Sequence, residues 1–178
     1  MTNRQQWTLI AGVVMTAVFG VALAIKLRPQ LSLLGVGSRA PEFRATDLRA
    51  GRPVTLADYR GKVVLLNIWA TYCEPCREEM PSLERLQKQF PGTDFRVVAV
   101  SVDEVGPDMV MAFANSLGLT FDILHDQSAA IQRIYQTAGV PESYLIDRDG
   151  VIVKKVIGAS EWDGPVHTVL IRRLLDAR

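Results

Sequence analysis

The first pattern along the chain is an uncharged, mostly apolar run from Trp7 to Ile25, with Arg4 before it and Lys26 and Arg28 after it. Its length is close to the ~20 residues a helix needs to cross a bilayer. Two readings fit: an uncleaved N-terminal signal anchor, or a cleavable signal peptide with Ala22-Leu23-Ala24 as an A-x-A site. The run is long for the apolar part of a signal peptide, which favours the anchor. Charge leaves the orientation open, because Arg4 and the amino terminus oppose Lys26 and Arg28. Gly12, Thr16, Gly20 and Ala24 recur every four residues, but ordinary membrane-helix composition accounts for this without a helix-pairing role. Residues 1–28 thus read as the anchor, 29–36 as a linker and 37–178 as one domain.

Within that domain the period of the apolar positions changes repeatedly. Phe43–Thr46 and Pro53–Thr55 read as short strands around a turn at Arg49-Ala50-Gly51, and Leu56–Arg60 as one helical turn. Lys62–Trp69 is almost continuously apolar, as in a central strand buried on both faces, with Asn67 as the interruption. Pro75–Phe90 follows with Met80, Leu83, Leu86 and Phe90 on one face, and Pro81 predicts a kink. Phe95–Val102 is a second core strand. A helix from Pro107 carries Val110, Phe113, Ala114 and Leu117 and stops at Gly118. Thr120–Leu124 reads as a strand, and Asp126 as the N-cap of a helix carrying Ile131, Ile134 and Tyr135. Ser143–Asp147 and Val151–Ile157 form a hairpin around Arg148-Asp149-Gly150. The Asp-rich turn lacks the other ligands of a calcium loop. A last helix from Gly164-Pro165 is expected to bury Val166, Val169, Leu170 and Leu174. This order predicts an α/β domain with a mixed sheet.

Composition adds exclusions. The net charge is +1 and no polybasic or polyacidic block occurs, so nothing points to nucleic acid. Two cysteines are too few for a disulfide-rich scaffold. His125 and His167 read as surface or loop residues.

The two cysteines, Cys73 and Cys76, carry the candidate chemistry. They sit at the junction of a buried strand and a helix, which is the setting of a redox Cys-x-x-Cys. Cys73 falls at the N-cap or first turn, where unpaired N–H groups and the helix dipole favour a thiolate. Pro75 suits a first helical turn, and Cys76 lies one turn on, within bonding reach. A structural zinc site would need further ligands close by, and a purely structural disulfide would close only a tiny loop. Asn67 is either a satisfied core amide or a participant in the chemistry. Glu79, one turn beyond Cys76, is either an exposed helix glutamate or a group that exchanges the Cys76 proton.

Three segments resemble one family. Lys62-Val-Val-Leu-Leu-Asn-Ile-Trp-Ala-Thr-Tyr-Cys-Glu-Pro-Cys-Arg-Glu-Glu-Met-Pro81 is similar to the active-site segment of membrane-anchored thioredoxin-like proteins of the TlpA/ResA type. Val36–Phe43 resembles that family's opening segment, and Gly139–Asp147 its proline loop, followed by Asp149-Gly150. The similarity spans about residues 36–176. It implies a thioredoxin fold with an N-terminal strand pair and a helix-strand insertion at about Glu104–Leu124, after one transmembrane helix. It implies a cis peptide bond before Pro141, beside the sulfurs, and gives Glu79 the role of the acidic group. Tyr72 departs from the tryptophan common at that place. With Val140 and Pro141, the motif residues Tyr72, Glu74 and Pro75 are the expected substrate-facing set.

The resemblance implies an extracytoplasmic thiol-disulfide oxidoreductase on the bacterial cytoplasmic membrane. Its partners would be cysteine-containing proteins, with apocytochrome c among them, and a membrane thiol transporter of the CcdA/DsbD type would recharge it. No cofactor or metal is expected beyond the Cys73–Cys76 pair. Two rival functions on the same fold are a thiol peroxidase and a copper carrier. Related peroxiredoxins place threonine where Ala70 stands, and copper carriers favour Cys-x-x-x-Cys with a nearby histidine.

Overall fold

The computed structural model describes residues 3–26 and 34–177. They fall into two units, divided after Leu33. The first is helix α1, Asn3–Lys26, in which Gln5–Ala22 is long and apolar enough to cross a membrane by length and composition. Leu27, Arg28 and linker residues 29–33 lie outside the described residues.

The second unit is a seven-stranded sheet with helices packed against it. In chain order it contains β1 (Arg44–Asp47), β2 (Arg52–Thr55), a 3-10 turn (Leu56–Tyr59), β3 (Val63–Trp69), α2 (Glu74–Lys88), β4 (Phe95–Ser101) and α3 (Pro107–Ser116). There follow β5 (Asp122–His125), α4 (Ala130–Tyr135), β6 (Glu142–Ile146), β7 (Ile152–Ile157) and α5 (Pro165–Asp176). The strand order is β2-β1-β5-β4-β3-β6-β7. β3, β4 and β5 run parallel, while β1, β6 and β7 join antiparallel to their inner neighbours. This is the mixed α/β thioredoxin fold, and the insertion is α3 with β5.

The apolar run of β3 has its physical reason here. All seven of its residues are buried, because the strand is central and covered on both faces. Met80, Leu83 and Leu86 of α2 are fully buried. Each such side chain contributes about 1.5–3 kcal/mol relative to exposure. The sheet register then sets up the site. β6 runs antiparallel to β3 with Ile68 opposite Glu142 and Asn67 opposite Ser143. The C-terminal end of β3 therefore meets the N-terminal start of β6, and with it the Val140–Pro141 peptide, which is cis.

Several expectations are corrected. Asp126 caps from a distance: its Oδ2 accepts the Ile131 N–H at 2.8 Å, while the residue at the helix boundary is Ala129. Val166 and Val169 face solvent, as does Leu117 at the end of α3's apolar stripe. Helix α5 instead buries His167, Thr168 and Ile171. Both histidines are buried, not on the surface, since each finds polar partners inside: His125 Nε2 lies 2.9 Å from the Asp103 carbonyl, and His167 sits between Lys154 and Ser160.

Candidate active site

The helix after β3 begins at its first cysteine. Cys73 is the N-cap of α2, in extended backbone, and its Sγ accepts the Cys76 N–H at 3.2 Å. A sulfur there meets the unpaired N–H groups of the first helical turn, which favour electron density on it. Cys73 and Cys76 are disulfide-bonded, with Cα atoms 5.2 Å apart. Cys73 is 7% exposed and Cys76 fully buried, so only the first sulfur can meet a large partner. Cys73 Sγ also lies 3.5 Å from the Val140 carbonyl oxygen, which brings the proline loop against the motif.

The remaining motif residues form a rim. Tyr72 is 74% exposed, a free aromatic face beside the accessible sulfur. Glu74 and Pro75 are also exposed, and Glu74 pairs with Arg77 at 3.6 Å. Val140 is half-buried and Pro141 buried.

Glu79 is buried rather than on the helix surface, at 2% exposure. Its Oε1 accepts from Asn67 Nδ2 at 2.7 Å, and its Oε2 from the Ser160 N–H at 3.1 Å and Trp162 Nε1 at 3.2 Å. Burial pushes its pKa up to about 7, against the opposing pull of these three donors. The carboxyl is thus poised to gain and lose a proton near neutral pH. Asn67 in turn donates to Ser143 Oγ at 2.9 Å, so the amide of β3 links α2 to β6.

Three groups of residues escaped the sequence reading. Asp103, just past β4, accepts from the Thr71 N–H at 2.9 Å, from Thr71 Oγ1 at 2.6 Å and from Ser101 Oγ at 2.7 Å, and so holds the turn that leads into Cys73. Glu142 is fully buried directly after Pro141. It accepts from Lys155 Nζ at 2.8 Å, from the Tyr144 hydroxyl and from the Ala138 N–H at 3.2 Å, which ties down the proline loop. Ser160 and Trp162 come from the segment between β7 and α5. A carboxylate beside a strand end is the only sequence signal that could have marked Asp103 and Glu142. Nothing local marks Trp162 as a partner of Glu79.

A model of the AhpC/TSA family matches residues 36–155. The thiol-disulfide oxidoreductase ResA of Bacillus thuringiensis is 33% identical over 156 residues, 88% of this chain and 89% of that protein. The same-named protein of Geobacillus kaustophilus is 36% identical over 146 residues, 82% of each chain. Among solved structures, the thioredoxin domain of a thiol-disulfide oxidoreductase from Bacteroides vulgatus superposes with a TM-score of 0.69 at 26% identity, covering 80% of this chain and 99% of that one. A protein assigned as thiol:disulfide interchange protein DsbE from Chlorobium tepidum gives 0.72 at 32% identity, with 80% and 99% covered.

Proposed function

The chain belongs to the AhpC/TSA family and is a thiol-disulfide oxidoreductase, and we propose that it reduces disulfides in cysteine-containing proteins on the outer side of a bacterial cytoplasmic membrane. The observation that carries this reading is the unequal exposure of the two cysteines at one helix N-terminus, with Cys73 keeping 7% exposure and Cys76 fully buried. In the reduced protein the Cys73 thiolate attacks a substrate disulfide. A mixed disulfide forms and one substrate thiolate leaves. Cys76 gives its proton to Glu79, and its thiolate attacks Cys73 Sγ. That closes the Cys73–Cys76 bond and releases the second substrate thiolate. Two electrons pass to the substrate, and the released thiolates take up the two protons. No cofactor beyond the cysteine pair enters. Tyr72, Glu74 and Pro75 face the substrate, and the backbone beside Val140 and Pro141 pairs with it as an added strand.

Apocytochrome c is the substrate this reading favours, because its Cys-x-x-Cys-His must be reduced before haem attachment. A membrane thiol transporter of the CcdA/DsbD type supplies the electrons. Cys76→Ser is the test. It should accumulate mixed disulfides with partner proteins that dissolve on adding reductant, whereas Cys73→Ser should accumulate none. Equal trapping by both variants would overturn the assigned roles.

A further inference from the structure

The segment between β7 and α5 grips the active-site helix. Ser82 Oγ of α2 accepts the Trp162 N–H at 3.1 Å, and lies 2.8 Å from the Glu79 carbonyl and 3.2 Å from the Ser160 carbonyl. Further along the same helix, Arg85 Nε donates to Asp163 Oδ2 at 2.6 Å, and Gln89 Nε2 to the Asp163 carbonyl at 3.2 Å. Behind the segment, the Trp162 ring packs on His167 at 4.4 Å between centroids. Trp162 is 1% exposed. The result of all these contacts is that two N–H groups, from Ser160 and Trp162, point at one oxygen of Glu79.

We propose that Trp162 is a positioning residue for thiol-disulfide exchange: with the Ser160 backbone it saturates Oε2 of Glu79, so that the proton from Cys76 is taken at Oε1. The inference rests on the reading of Glu79 as the group that accepts that proton. A carboxylate oxygen offers about two lone-pair sites. On Oε2 both are occupied, whereas among the described residues Oε1 holds only the Asn67 donor and keeps one site open. The indole N–H also stabilises the charged carboxylate more than the acid. Trp162 therefore sets both where the proton lands and the pH at which it leaves. A crevice of about 150 Å³, lined by Glu78, Glu79, Ala159, Ser160 and Glu161, opens beside this contact.

The charged and titratable groups around Glu79 are known by element. Cys76 and Glu78 come from α2, and Glu161 from the gripping segment. β3 offers the neutral Asn67 and, beyond it, β6 the neutral Ser143. Behind Ser160 lie His167 of α5 and Lys154 of β7.

The experiment uses the full-length, oxidised protein in detergent micelles, where neither cysteine titrates. The Trp162 indole N–H resonance should titrate with the same midpoint as the Glu79 carboxyl carbon. In Glu79→Gln that titration should vanish, and any residue of it belongs to His167. An indole titration unchanged by Glu79→Gln overturns the inference without touching the role of Glu79. Trp162→Phe keeps the ring and removes the donor, and should move the Glu79 midpoint alkaline by about one pH unit. The pH–rate profile of disulfide resolution should move with it. An unmoved midpoint in that variant overturns the inference. If Glu79→Gln leaves the wild-type pH–rate profile in place, it is the role of Glu79 itself that fails, and the indole titration still reports whether the contact exists. The titration of the wild type needs no variant, so the inference remains testable if Trp162→Phe does not fold.

Discussion

Cys73 and Cys76 are one helical turn apart and differ in what reaches them. The first caps the helix and keeps 7% exposure, while the second is fully buried within the first helical turn. In the reduced protein near neutral pH, Cys73 should therefore alkylate at least about tenfold faster than Cys76, as read by mass spectrometry of the labelled peptides. Faster labelling of Cys76 would reverse their roles. Glu79 supplies a second prediction, through linkage. Its value in the folded chain is raised from 4.5 to about 7, so between those limits the folded state holds a proton that the unfolded chain has released. The associated stability is whole below the unfolded value and is lost as pH rises through the folded one. At about 1.4 kcal/mol per pH unit the loss comes to about 3 kcal/mol. Chemical denaturation at about pH 5 and about pH 8 should show this decline in the wild type and not in Glu79→Gln. In the same variant, disulfide resolution should lose its rise through about pH 7. Superimposable pH–rate profiles would return Glu79 to a purely structural role.

Among the elements, those read from a single strong period are where the sequence placed them. β3 was legible because every residue is apolar but one, and α2 because its buried stripe and its N-cap agree. Helix α5 was legible as a helix but not in its rotation. Counting apolar residues turned Val166 and Val169 inward, whereas the buried face carries His167 and Thr168. Polar residues can occupy that face because Ser160 and Lys154 reach across to His167, and such partners are set by tertiary structure, not by local sequence. The candidate site divides the same way. Cys73, Cys76 and Pro141 are visible as motifs, while Trp162 meets Glu79 only because two distant segments fold together. A third prediction belongs to this scale. Buried Glu84 of α2 accepts both the N–H and the hydroxyl of Thr120, each at 2.7 Å, and so joins the active-site helix to the insertion just ahead of β5. Its pKa is held low by those bonds and by Lys88, against the cost of burial. Glu84→Ala strands the Thr120 N–H and should cost about 1–3 kcal/mol in urea denaturation. The rate of thiol-disulfide exchange should stay unchanged; a stability within about 0.5 kcal/mol of wild type would remove the link.

For the molecule as a whole, the N-terminal helix gives the location a direct test. If α1 is retained as an anchor, the protein should stay with membranes through carbonate extraction, and a reporter fused after Arg178 should be active only on the extracytoplasmic side. A mature chain beginning at Ile25 would instead show cleavage after Ala24. The site draws on segments spread along the chain: Asn67 to Glu79, then Val140 to Ser143, and last Ser160 to Trp162. That order matters during synthesis. A ribosome delivers the two thiols long before it delivers the residues that bond to Oε2 of Glu79. Until Ser160 and Trp162 have emerged and docked, Glu79 lacks the two donors that meet its Oε2. The surroundings of the Glu79 carboxyl are in this sense completed by a segment made late.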